Sequence, residues 1–176
     1  HWRWRALLFV PIGGLVWLCH LAGWGVLGVL VLGYEWHRQH GLRALLAPWP
    51  LAFPALGFLA GGAPSGLLAY GQNVANYKMS IWFIALRDQV WKLDIDTLGF
   101  LLVACAVAAA FRRFDGRLGW AAVMFAALSL ALPRHLGGGD YTDYRLIAVA
   151  LGAGCLAIDW SPPRLVLWLA PMLYLF

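Results

Sequence analysis

Asp140-Tyr141-Thr142-Asp143-Tyr144-Arg145 places two carboxylates, two phenols and a guanidinium directly ahead of an apolar run. Arginine suits bidentate binding of a phosphate, and an aspartate beside it can position a hydroxyl or a divalent ion. Asp140, Asp143, Tyr144 and Arg145 therefore form the candidate substrate-binding lip, with a lipid-phosphate or sugar-phosphate as the fitting ligand. The competing reading is local: Arg145 pairs with a nearby aspartate and caps a helix where it enters the headgroup layer. Asp94 and Asp96, next to Trp91 and Lys92, make a second acidic edge. The helix dipole accounts for carboxylates in a first turn, and the i, i+2 spacing points the two apart, which disfavours a shared metal ion.

His20 is the one ionisable side chain in the first apolar run. A bis-histidine haem site needs a second intramembrane histidine, whereas His1, His37, His40 and His135 lie at ends or in connectors, so the expectation for His20 is a hydrogen bond between packed helices. His37 and His40 flank Arg38 and read as headgroup contacts rather than as a metal pair. Nucleophile-elbow, metalloprotease and phosphate-loop motifs are lacking. These residues specify no cofactor, metal site or catalytic residue.

Composition sets what must hold these side chains. Of 176 residues, 62% are hydrophobic, 15% aromatic and only 12% charged, with a mean hydropathy of +0.73. Soluble domains carry about 25% charge, so this chain lacks the polar residues to cover itself in water. Its 13 Lys and Arg against 8 Asp and Glu give a net charge of +5. They are scattered between apolar runs, which fits membrane lipids as partners and no nucleic acid. Cys19, Cys105 and Cys155 stand singly, without disulfide or zinc spacing. The expected fold is all-α: one polytopic, integral membrane domain over residues 1–176 with about six transmembrane or re-entrant helices, complete or a piece of a longer chain. No removable targeting segment is expected.

Ala6 to Leu32 carries no formal charge, and its 27 residues give roughly 40 Å of helix, more than a bilayer core of about 30 Å requires. A single span is expected there, with Gly23, Gly25 and Gly28 as its smooth packing face. The next run, Leu42 to Leu59, contains Pro48, Pro50 and Pro54 and should be kinked, broken or re-entrant, with neighbouring protein or water satisfying its backbone. Gly61–Gly66 reads as a loop. Leu67–Trp91 reads as an amphipathic interfacial helix or a polar-lined span. Thr97–Phe111 and Leu118–Leu132 make a helical hairpin around the charged turn Phe111–Arg117. Leu146–Ile158 offers Ala148/Gly152 and Ala150/Gly154 as small-residue faces, and Leu165–Phe176 is the last run. Positive charge in short loops places Arg38, Arg43, Arg112, Arg113, Arg117 and Arg164 on the cytoplasmic side. The Pro133–Arg145 loop then lies outside.

Three stretches carry a family likeness: His20-Leu-Ala-Gly-Trp-Gly25 with Tyr34-Glu35, Arg87-Asp-Gln with Lys92-Leu-Asp-Ile-Asp96, and Leu132-Pro-Arg with Gly-Gly-Asp140 and Asp143-Tyr-Arg-Leu146. Their order resembles the later half of bacterial polytopic C-type glycosyltransferases. That resemblance implies the bacterial cytoplasmic (inner) membrane, a polyprenyl-phosphate sugar donor, and transfer to a lipid, glycan or protein on the outer face. In that class the catalytic acid follows the first helix, and no D-D, D-E or E-D pair occupies that place here. The chain would therefore supply scaffold and substrate lip. Two other readings stand beside it: a structural subunit of a larger membrane complex, with other membrane subunits as partners and helix packing or pigment contact as its work, and a transporter piece with its site at the Pro48–Pro54 break.

Overall fold

The computed structural model describes residues 2–56, 69–85, 90–136 and 139–159. The Gly61–Gly66 loop, Arg87 and Leu165–Phe176 lie outside the described residues. Within them the regular structure is helical apart from a hairpin of two two-residue strands and two isolated bridges: α1 Trp2–Cys19, α2 Leu21–Gln39, α3 Gly41–Leu46, α4 Trp49–Ala52, a 3-10 turn Phe53–Ala55, α5 Val74–Phe83, α6 Trp91–Ala110, α7 Gly116–Ala131, β1 His135–Leu136, β2 Gly139–Asp140 and α8 Thr142–Ala157. Among the described residues α6 is the one helix long and apolar enough to cross a membrane, and only 17% of that stretch is buried inside the protein.

The charge-free run expected as one span is broken at His20. This residue is extended (φ −161°, ψ 103°), exposed, and accepts the Gly23 N–H at its Nδ1 3.4 Å away. Rather than bonding between packed helices, it ends α1 and caps α2, so the ring replaces a backbone acceptor. The two arms bend around the proline-rich segment. A Cβ on Gly13 would meet Leu51 Cα at 3.3 Å, while Trp24 Nε1 donates to the Leu51 carbonyl at 2.7 Å. In a straight helix Gly13 and Trp24 would stand roughly 16 Å apart, so both reach Leu51 only because the chain turns at His20. The Trp24 bond also satisfies a carbonyl near the broken helix, the service the three prolines were expected to demand.

The small-residue contact of α2 sits elsewhere than expected. Nothing lies within 4 Å of a Cβ built on Gly25 or Gly28, whereas one on Gly33 would stand 2.5 Å from the Ala121 backbone nitrogen. Gly33 is thus where α2 crosses α7. Ala121, Phe125 and Ala150 are buried there against Val26, Val29 and Leu30. On its other side α8 joins a second core of Ile81 from α5, Ala85 just after it, Leu98 from α6, and Ile147 and Leu151 from α8. Of its two small-residue pairs, Ala150 and Gly154 face inward while Ala148 and Gly152 are exposed. Gly154 lets the Cys105 sulfur of α6 approach, with a Cβ there meeting it at 3.3 Å. The expected α6–α7 hairpin follows the chain order, yet α7 packs along α8 and α2. Asp115 caps α7 by accepting the Arg117 N–H at 2.8 Å.

α5 has ten residues, roughly 15 Å, and is too short to span a bilayer. The bundle's polar groups gather at two ends. One holds the α7 C-terminus and α8 N-terminus. At the other, Asp115 N–H donates to the Ala157 carbonyl and Asp159 N–H to that of Arg113.

Candidate functional site

The first end is built around a buried ion pair. Lys78 of α5 and Asp143 of α8 meet at 2.5 Å, with side chains 8% and 0% exposed. All three ammonium protons have acceptors: Asp143 Oδ2, the Ser129 carbonyl at 2.8 Å and the Leu132 carbonyl at 2.6 Å. Those carbonyls belong to the last turn of α7 and its exit, where helical acceptors are left unpaired and a cation is favoured by the dipole. Tyr70 completes this end by donating to the Ala131 carbonyl at 2.9 Å. Asp143 occupies the first turn of α8, where a carboxylate is favoured, and its Oδ1 accepts the Tyr144 N–H at 2.8 Å. Lys78 therefore pins the end of one helix to the start of the next.

Tyrosines and an arginine surround the pair. Tyr77 donates its hydroxyl to Asp143 Oδ1 at 3.3 Å. Burial first, and the Asp143 charge second, push its pKa up to about 12, so this phenol remains a donor at neutral pH. The Arg134 guanidinium lies 5.4 Å from the Tyr77 ring centroid and 4.5 Å from that of Tyr141, whose hydroxyl it bonds at 2.7 Å. Its Nε is buried without a hydrogen-bond partner among the described residues. Tyr144 turns away from this group and donates to the Ile84 carbonyl at 2.8 Å, closing the end of α5.

Three residues of the sequence-derived lip, Asp143, Tyr144 and Arg145, point in different directions. Asp143 faces inward to Lys78, Tyr144 reaches α5, and Arg145 is exposed with no side-chain hydrogen bond or ion pair among the described residues. The Asp140 backbone pairs with His135 across the small hairpin, while its side chain lies outside the described structure. Lys78, Tyr77 and Arg134 are the participants that local reading missed. Lys78 is 65 residues from Asp143, and its sequence signal was one of two cations, with Arg87, in the Leu67–Trp91 amphipathic stretch. Asp94 and Asp96 do point apart: Asp94 is buried in the first turn of α6 and Asp96 is exposed.

In comparisons with protein-family models, curated proteins and solved structures, nothing matched this chain.

Proposed function

We propose that this chain is a polytopic integral membrane protein of about six transmembrane or re-entrant helices. Its work is to scaffold a reaction that uses a phosphate-bearing lipid of the polyprenyl-phosphate-sugar type. Apolar exposure supports the membrane: Phe100, Val103 and Val107 of α6 and Val123 and Leu130 of α7 all present large hydrophobic side chains outward. The C-type glycosyltransferase resemblance supplies the substrate class and the inner membrane, and the catalytic groups belong elsewhere.

The observation that carries the lipid-phosphate reading is Arg145. The bland alternative needs it paired with an aspartate, and Asp143 is taken by Lys78. Arg145 is left as an exposed guanidinium in the opening turn of a pinned helix. A guanidinium fork at a helix start suits a phosphate. Arg145→Ala is expected to weaken binding of farnesyl phosphate, a short polyprenyl phosphate, by about tenfold or more in detergent. Arg43→Ala, an exposed charge at the other end, should change it by no more than about twofold. Melting temperatures of both variants separate lost binding from lost folding, and equal binding by the two would remove the lip from the account.

A structural-subunit reading is favoured by one feature, the apolar groove along Trp24, Gly25, Gly28, Leu45 and Pro48, where both glycines are uncovered. Gentle purification discriminates: co-purifying polyprenyl lipid supports the scaffold, and stoichiometric membrane proteins without it support the subunit.

A further inference from the structure

Opposite the Arg145 lip, two helices build a basic cleft. Tyr34, His37 and Arg38 come from the last turns of α2, and Arg117 from the first turn of α7. The Gly33–Ala121 crossing sets these turns side by side. Gly116 makes room for His37, whose imidazole occupies the place a side chain would take. The Arg117 guanidinium lies over the Tyr34 ring, 5.6 Å from its centroid, a stacking that orients the fork and leaves its N–H donors available.

Two acids neighbour the cleft without lining it. Glu35 is fully buried and accepts from Gln39 at 2.6 Å, while Asp115 accepts the Arg117 backbone N–H. Arg38 makes no side-chain hydrogen bond or ion pair among the described residues, and no carboxylate lines the cleft. Two guanidiniums and an imidazole thus share one concave site, where like charges repel until an anion fills it. An oxyanion with several acceptors matches two planar forks and a phenol better than a single carboxylate does.

We propose that the Tyr34–His37–Arg38–Arg117 cleft binds a phosphate group. It can come from the phosphodiester headgroup of an anionic lipid or from free phosphate. Isothermal titration of the full chain in detergent with phosphatidylglycerol and, separately, with inorganic phosphate tests it, with phosphatidylcholine as the zwitterionic reference. The expected result is binding in at least one of the two phosphate arms, weakened about tenfold or more by Arg38→Ala with Arg117→Ala. Arg43→Ala at the same end and Lys92→Ala at the other should leave it within about twofold. Binding of both probes assigns the phosphate itself; binding of the lipid alone assigns the headgroup. Should the double alanine variant lose its helical circular dichroism, Arg38→Lys with Arg117→Lys decides, because it keeps the charge and removes the forks. Weaker binding there supports the site. Unchanged binding, no binding by either probe, or equal weakening by Arg43→Ala overturns it.

Discussion

Lys78→Met is expected to destabilise the protein by roughly 3–5 kcal/mol, because it leaves the Asp143 carboxylate buried without its counter-charge. It also strips hydrogen bonds from the Ser129 and Leu132 carbonyls at the end of α7. The second half of the prediction gives it its sign. Lys78→Met combined with Asp143→Leu should recover most of the loss, since two apolar groups of similar size avoid the desolvation that each charge incurs. Denaturant unfolding in detergent, followed by helical circular dichroism on both single variants and the double, measures the coupling. Additive losses would mean that the two residues do not act as a pair.

Gly33→Ala is the second large effect. Alanine favours a helix over glycine by about 1 kcal/mol, so propensity alone predicts a gain. The new methyl group, however, would stand 2.5 Å from the Ala121 nitrogen and 2.7 Å from its Cα, and backbone atoms cannot swing aside. Either α2 parts from α7 or the contact strains. Overpacking of this kind costs about 1–3 kcal/mol and, with backbone on both sides, lands at the upper end, so the clash outweighs propensity. Gly28→Ala on the same helix meets nothing within 4 Å and should stabilise by up to about 1 kcal/mol. Opposite shifts in melting temperature are the expected outcome, and parallel shifts would contradict the crossing.

These two sites show what the sequence could and could not reveal. Helical class was legible from apolar run lengths, and the break at Pro48–Pro54 followed from missing backbone donors. The helix expected from Leu118 starts at Gly116, because Asp115 in the charged turn serves as its cap. By contrast, His20 has no intrinsic breaking tendency of the proline kind, and its effect arises from a side-chain cap that forms only once the chain turns. Gly25 and Gly28 looked the same as Gly33 in one dimension, because only the position of Ala121 on another helix separates a contact glycine from an uncovered one. The Lys78–Asp143 pair was hidden for a related reason. Charges next to each other in sequence suggested Asp143 with Arg145, whereas the buried partner came from a helix 65 residues away. Arg38, Arg112, Arg113 and Arg117 were grouped by loop length alone. In the structure His37 and Arg38 reach the α7 start beside Arg117, and the Lys78, Arg134 and Arg145 end lies at the far tips of α7 and α8.

We propose that these two polar ends lie on opposite faces of a bilayer. With Cys19, Cys105 and Cys155 replaced by alanine, single cysteines at the exposed positions Arg117 and Arg145 can be challenged in intact cells with a membrane-impermeant thiol reagent, before and after permeabilisation. Labelling of Arg145→Cys in sealed cells, and of Arg117→Cys only after permeabilisation, is the predicted result. Equal labelling of both in sealed cells would contradict it, because one bilayer cannot then lie between them.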